Sequence, residues 1–102
     1  MLVERLTFQA KYGQGDTLVS LFKGEMKRFR DMGGGAARIY TDATGRMFTV
    51  QVEQEFKDWS DYAAFSAKAR ESYGTDDFRA MFAKMTEAVE TGERELFTVE
   101  SA

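Results

Sequence analysis

The chain has 102 residues, a formal net charge of −3, and a composition of 43% hydrophobic and 30% charged residues. This length and composition are typical of one globular domain, so a single domain over residues 1–102 is predicted. The acidic balance disfavours a nucleic-acid partner. No apolar run approaches the roughly 20 residues of a membrane-spanning helix, so no membrane partner is expected.

The residue types that are missing exclude several kinds of chemistry. The sequence contains no Cys and no His. Disulfides, thiolate nucleophiles and Cys-ligated metals are therefore excluded, and the commonest general base and metal ligand are absent. We expect neither a metal site nor a cofactor. The first residues, interrupted by Glu4 and Arg5, do not match a secretion signal, and a cytoplasmic location is expected.

The first third of the chain predicts a strand followed by a helix. Residues 2–12 alternate between two faces as a strand does, and Glu4 interrupts the apolar face close to the terminus, where fraying makes a charge tolerable. A helix is then predicted up to about Met32, and Gly33, Gly34 and Gly35 end it. Its apolar stripe consists of Leu18, Phe22, Met26 and Phe29.

Residues 37–56 predict a hairpin, and the second half shows the clearest alternation in the chain. Its turn is TDATG, in which Asp42 can hydrogen-bond the backbone and Gly45 can take a positive φ. One face of the second strand carries Phe48, Val50, Val52 and Phe56. The other face carries Met47, Thr49, Gln51, Glu53 and Glu55.

The last part predicts two helices and a final strand. Asp58 and Thr75 are suitable helix N-caps, Gly92 is predicted to end the second of these helices, and residues 93–100 form the last strand. The order β-α-β-β-α-α-β predicts an α+β fold of ferredoxin-like type. We therefore expect one four-stranded antiparallel sheet with its helices on one face.

A sheet covered on one side has a second face to account for. The more apolar face, which includes Val50, Val52 and Phe97, is assigned to the helices. The other face is mixed and would expose more apolar area than a hydrated face usually does, so a second copy of the chain is the predicted partner. The alternative is a hydrated face on a monomer. The candidate dimer-interface residues are Val3, Arg5, Thr7, Tyr40, Met47, Thr49 and Leu96.

A group of aromatic residues follows the hairpin and suggests one wall of a pocket for a small, partly apolar molecule. Trp59, Tyr62, Phe65 and Tyr73 form this group, and polar side chains of the hairpin would orient the molecule. The alternatives are an aromatic core cluster and, for Glu53, a structural ion pair with Arg5 or Arg38. The candidate ligand-binding residues are Arg38, Tyr40, Gln51, Glu53, Trp59 and Tyr62.

The element order, the hairpin ARIYTDATGRMFTVQVEQEF and the helix start KDWSDYAAF together resemble the dimeric α+β barrel superfamily. Within it, the chain is most similar to small NIPSNAP-like domains and then to antibiotic-biosynthesis-monooxygenase-like domains. The resemblance implies two sheets paired into a barrel, with a cavity inside the barrel or between sheet and helices.

The resemblance leaves three functions open. The first is a homodimer that binds a small, partly apolar ligand, and the second is a non-catalytic structural or interaction dimer. The third is a cofactor-free monooxygenase or isomerase acting on an aromatic or lactone-like substrate. Some relatives use His or Asn in catalysis or haem ligation. Those residue roles cannot be assigned to this chain, because it contains neither His nor Asn.

Overall fold

The computed structural model describes residues 1–101 and confirms the predicted order of elements. The strands are β1 (Leu2–Ala10), β2 (Ala37–Thr41), β3 (Thr49–Phe56) and β4 (Val89–Thr98). The helices are α1 (Gly15–Asp31), α2 (Trp59–Ser72) and α3 (Asp76–Ala88). Within this part of the chain the strands form one antiparallel four-stranded sheet in the order β2-β3-β1-β4. The predicted ferredoxin-like α+β fold is therefore confirmed.

The predicted helix ends are confirmed where a side chain caps them. The Asp58 carboxylate accepts a hydrogen bond from the Asp61 backbone nitrogen at 2.9 Å at the start of α2. The Thr75 hydroxyl accepts from the Phe78 nitrogen at 3.2 Å at the start of α3. Each cap satisfies a backbone donor that the first helical turn would otherwise leave unpaired. At the end of α1, Gly33 takes the predicted left-handed conformation with φ +93°.

The helices cover one face of the sheet. On that face, Val50 and Val52 of β3 are buried with Leu18 and Phe22 of α1. A second cluster lies at the N-terminal end of β1 and consists of Leu2, Phe56 and Phe65. Hereafter the two sides of the sheet are called the helix face and the open face. Among residues 1–101, no helix is both long enough and apolar enough to cross a membrane.

The hairpin loop is longer than predicted. β2 ends at Thr41 and β3 begins only at Thr49, so Met47 and Phe48 belong to the loop. The Asp42 carboxylate accepts from the Thr49 nitrogen at 3.1 Å, which closes the loop across seven residues. Phe48 has φ 59°, which is incompatible with an extended strand. The prediction that Met47 lies on a strand face was therefore wrong.

The last strand corrects two further predictions. β4 begins at Val89, and Gly92 does not end α3 but pairs with Phe8 of β1. A Cβ at position 92 would lie 3.0 Å from the Phe8 ring, so the glycine makes room for that ring. The pairing also places Leu96 opposite Glu4 on the helix face and Phe97 opposite Val3 on the open face. The face assignments of Leu96 and Phe97 were thus reversed.

A close approach between the α1–β2 loop and β3 generates the first testable prediction. The Gly35 nitrogen donates to the Glu55 carbonyl oxygen at 3.1 Å, and a Cβ at position 35 would collide with that same oxygen. Gly35→Ala should therefore displace the loop from β3 and lower the free energy of unfolding by about 1–3 kcal/mol. Urea unfolding followed by circular dichroism measures the change.

Gly24→Ala is the matched control for this substitution. Gly24 lies within α1, and a Cβ there would meet no atom within 4 Å. Because alanine favours the helix, this variant should raise the free energy of unfolding by up to about 1 kcal/mol. A Gly35→Ala protein as stable as the Gly24→Ala protein would contradict the close approach.

Candidate functional site: the cavity between the sheet and the helices

A cavity of about 700 Å³, partly open to solvent, lies between the helix face of the sheet and the three helices. Cavities of roughly 300–1,000 Å³ are the usual size for small-molecule sites. Most of the lining is apolar, and much of it is aromatic. The aromatic lining includes Phe8, Phe22, Phe29, Tyr62, Phe65, Tyr73, Phe78 and Phe82.

A buried carboxylate lies in this apolar cavity. Glu4 of β1 is only 7% exposed, and its Oε2 atom accepts a hydrogen bond from the Tyr62 hydroxyl at 2.7 Å. The Arg94 Nε atom of β4 lies 3.6 Å from the same oxygen. A buried carboxylate needs such partners because its desolvation is costly. Glu4 is therefore held between α2 and β4, and the prediction that it lies at a frayed strand end was wrong.

The hydroxyl of Tyr62 keeps its proton at neutral pH. Burial raises the pKa of Tyr62 above its ordinary value of 10.0, and the hydrogen bond to Glu4 together with the charge of Glu4 raises the pKa further. Since the neutral hydroxyl is a donor, the contact with Glu4 is an O–H···O hydrogen bond.

A second polar side chain lies beside Glu4. Gln54 of β3 is directly opposite Glu4 in the β1–β3 register and is only 4% exposed. Its Nε2 atom is buried, and among the atoms of residues 1–101 it has no hydrogen-bond partner. Gln54 also lines the cavity. The cavity thus contains an amide group whose nitrogen donates to no acceptor in the described part of the chain.

Sequence reasoning missed both of these residues, although a signal was present. Glu4 and Gln54 interrupt two strands on the face that is otherwise apolar, with Leu2, Leu6 and Phe8 on β1. Either interruption alone has a trivial explanation. Only the register shows that the two interruptions are opposite each other.

A network around Arg28 lines the cavity between α1 and α2. The guanidinium of Arg28 donates to the Ser72 hydroxyl at 2.9 Å and lies 3.2 Å from the Glu25 carboxylate. It also lies 5.5 Å from the centre of the Phe78 ring, within the range of a cation–π contact. These contacts link α1 to α2 and to the start of α3.

The predicted ligand-binding residues do not share one cavity. Tyr62 lines the cavity described above, whereas the four hairpin residues are on the open face, on the other side of the sheet. These four are Arg38, Tyr40, Gln51 and Glu53. Trp59 is 60% exposed and contacts Tyr62 edge to face without lining the cavity. Phe65 and Tyr73 of the predicted aromatic wall do line it.

The open face carries an ion pair at its centre. Arg5 Nε donates to Glu53 Oε2 at 2.7 Å, and the same guanidinium lies 5.0 Å from the centre of the Phe97 ring. Burial by itself would raise the pKa of Glu53. Hydrogen bonds from Arg5 and Tyr40, and the positive charges of Arg5 and Arg38, outweigh burial and hold this pKa below its ordinary value.

The predicted dimer-interface residues are placed on the open face with two exceptions. Val3, Arg5, Thr7, Tyr40 and Thr49 have the predicted orientation because they pair in register across β1, β2 and β3. Leu96 is on the helix face, and Met47 is in the loop before β3. Phe97 takes the place predicted for Leu96 and is 41% exposed, and Tyr40 is 39% exposed.

Carboxylates do not gather into a metal site in the described part of the chain. Within residues 1–101, no group of three or more His, Cys, Asp or Glu residues has the geometry to hold a metal ion.

Solved structures show what this architecture is similar to. A NIPSNAP domain protein from Burkholderia xenovorans superposes with a TM-score of 0.79 at 18% identity, over 99% of this chain and 96% of that one. The fold is the NIPSNAP fold. A NIPSNAP family protein from Agrobacterium tumefaciens gives a TM-score of 0.76 at 14% identity, over 95% of this chain and 90% of that one.

The NIPSNAP fold of this chain is also shared with an enzyme. SnoaB, a cofactor-independent oxygenase from Streptomyces nogalater, superposes with a TM-score of 0.69 at 14% identity, over 99% of this chain and 94% of that chain. The fold resemblance stated from the sequence is therefore confirmed. Neither a protein-family model nor a curated protein sequence matches this chain.

The lowered pKa of Glu53 predicts a specific pH dependence. The folded-state pKa lies below the ordinary value of 4.5, so the ion pair stabilises the fold fully above about pH 4.5. This stabilisation is lost as the pH falls through the folded-state pKa. Glu53→Gln should therefore reduce the drop in the urea midpoint between pH 7 and pH 3, measured by circular dichroism.

Glu71→Gln provides the control because Glu71 is exposed on α2 and forms no ion pair within residues 1–101. This variant should show the wild-type drop. If Glu53→Gln and the wild type lose equal stability over the same pH range, the pair with Arg5 does not contribute.

Proposed function

We propose that this protein binds a small, partly apolar molecule in the cavity between the sheet and the helices. The observation that carries the proposal is the cavity of about 700 Å³, in which two buried polar residues, Glu4 and Gln54, interrupt an aromatic lining. A mostly apolar pocket with a few convergent polar groups is the usual form of a small-molecule site. The apolar lining supplies affinity, and the polar pair supplies orientation.

The size of the cavity favours ligand binding over a purely structural role. A structural dimer needs an interior filled by its own side chains, because protein interiors are close-packed. Here the space between the sheet and the helices has a volume within the usual range for small-molecule sites. Burying Glu4 and Gln54 also costs free energy that an apolar pair at the same positions would avoid.

The active assembly that we propose is a homodimer joined through the open faces of two sheets. Tyr40 and Phe97 are exposed apolar side chains on that face. Arg5 and Glu53 supply both signs of charge there, which suits a self-complementary two-fold interface. The barrel implied by the sequence resemblance has this arrangement. We also propose that the protein is located in the cytoplasm. A chain without cysteine needs no oxidising compartment and is compatible with the reducing cytoplasm.

A catalytic role for the same cavity is the second candidate. SnoaB, which shares the fold, is a cofactor-independent oxygenase. In this chain the Glu4 carboxylate lies in the cavity and is oriented by the Tyr62 hydroxyl. A positioned carboxylate can accept a proton from a bound substrate, which is the first step of many oxygenations and isomerisations. This candidate requires oxygen uptake or isomerisation that depends on Glu4.

Filling the cavity should prevent binding. Ala69 lies on α2 and lines the cavity, so Ala69→Phe should place a ring in the space for a ligand. The neutral fluorescent probe N-phenyl-1-naphthylamine should bind the wild-type protein with increased emission. Ala69→Phe should weaken this binding at least tenfold, measured by fluorescence titration.

Ala64→Phe is the matched control, because Ala64 lies on the exposed side of the same helix. It should leave probe binding unchanged. Equal binding by the wild type and Ala69→Phe, with both proteins folded, would show that the probe binds elsewhere.

A charge introduced on the open face should separate the proposed dimer. Sedimentation of the wild type should give twice the chain mass of 11.6 kDa. Tyr40→Glu would bury an unpaired carboxylate at the interface, near the Glu53 carboxylate with which Tyr40 forms a hydrogen bond, so the mass of this variant should fall to that of the single chain. Lys68→Glu, on the exposed surface of α2, should remain a dimer. A wild-type chain that sediments at 11.6 kDa at micromolar concentration contradicts the dimer.

A further inference from the structure

The amide nitrogen of Gln54 is a feature of the cavity that apolar binding alone leaves unexplained. Nε2 is buried, and within residues 1–101 no acceptor lies in hydrogen-bond range of it. A buried N–H group without an acceptor is destabilising, and most such groups in folded proteins are paired. Because Gln54 lines the cavity, a molecule bound there can supply the missing acceptor.

The neighbouring carboxylate does not serve as that acceptor. Glu4 is opposite Gln54 in the register, but its Oε2 atom accepts from the Tyr62 hydroxyl at 2.7 Å. The Arg94 Nε atom lies 3.6 Å from the same oxygen. These contacts engage that oxygen with α2 and β4, and the Gln54 Nε2 atom has no partner among residues 1–101.

The charges around the cavity indicate a neutral ligand. Among the described lining residues, three carboxylates are balanced by three guanidinium groups, so the formal charge of the lining is zero. Arg28 is already bound to Glu25 and Ser72. An anion placed near Gln54 would also approach the Glu4 carboxylate and lose its hydration, which is unfavourable. The six charged lining residues are Glu4, Glu25, Glu93, Arg28, Arg70 and Arg94.

We infer that the cavity selects neutral carbonyl compounds with an apolar body, and that Gln54 is the residue that determines this specificity. This inference rests on the proposed function. The Gln54 Nε2 atom donates a hydrogen bond to the carbonyl oxygen, and the aromatic lining packs against the rest of the ligand. A carbonyl oxygen is a strong acceptor that carries no formal charge, so it satisfies the amide without opposing Glu4.

Two probes of matched shape test the inference. 2-Acetylnaphthalene carries a carbonyl group, and 2-isopropylnaphthalene has a methyl group in place of the carbonyl oxygen. Each is titrated against the wild-type protein loaded with N-phenyl-1-naphthylamine, and displacement is followed by fluorescence. The ketone should bind about tenfold more tightly than the hydrocarbon, which corresponds to one hydrogen bond to a group that is otherwise unsatisfied. The anion 2-naphthoate should bind more weakly than the ketone.

Gln54→Leu should remove the preference for the ketone. The leucine side chain is similar in size but has no donor, so the ketone would leave its carbonyl oxygen unpaired, and the hydrocarbon should bind this variant at least as tightly as the ketone. Its affinity for the hydrocarbon should be at least that of the wild type. Gln54→Met provides a second variant without a donor, and the thermal unfolding of both is recorded to confirm that they fold.

The outcomes separate the inference from the proposed function on which it rests. If the probes bind but the wild type does not prefer the ketone, or if the preference persists in both Gln54 variants, the inference is wrong and the proposed function stands. Tighter binding of 2-naphthoate than of the ketone likewise overturns the neutral-ligand specificity. If the folded wild type binds none of the probes, the proposed function fails as well.

Discussion

The antiparallel pairing of β1 with β3 is the constraint on which both faces of the molecule depend. One register places Leu6 opposite Val52 on the helix face and Arg5 opposite Glu53 on the open face. Because successive side chains of a strand point to opposite faces, a slip of one residue would exchange these two sets. The same register places Glu4 opposite Gln54, so it also determines the polar part of the cavity.

Charged side chains are stabilised differently on the two faces of the sheet. On the open face, charges meet near solvent, and Glu53 is stabilised by Arg5 and Tyr40. On the helix face, Glu4 is buried, and it is tolerated because Tyr62 and Arg94 surround it. Polar groups in an apolar interior reduce stability unless they are fully paired. Their presence between the sheet and the helices is the contrast with an ordinary apolar core on which the proposed function rests.

Most of the architecture could be predicted because its signals are local. The alternation in residues 49–56, the caps at Asp58 and Thr75, and the left-handed Gly33 each depend on a few neighbouring residues. β4 was harder, since its polar sequence VETGERELFT lacks a clear alternation. The pairing with β1 decides which side chains of β4 share a face, and it places Phe97 on the open face. This pairing contains an irregularity between Gln9 and Ala10.

The order of amino acids is sufficient to predict which helices and strands form and in what order. It also shows which chemistry the missing residue types exclude. These properties can be predicted because periodicity, capping and composition belong to short segments or to the chain as a whole. Three features required the folded chain: the cavity, the contact between Glu4 and Tyr62, and the position of Gln54 opposite Glu4. These features join residues about fifty or more positions apart. Periodicity shows which side chains of one strand share a face, but packing against distant strands and helices decides what that face meets.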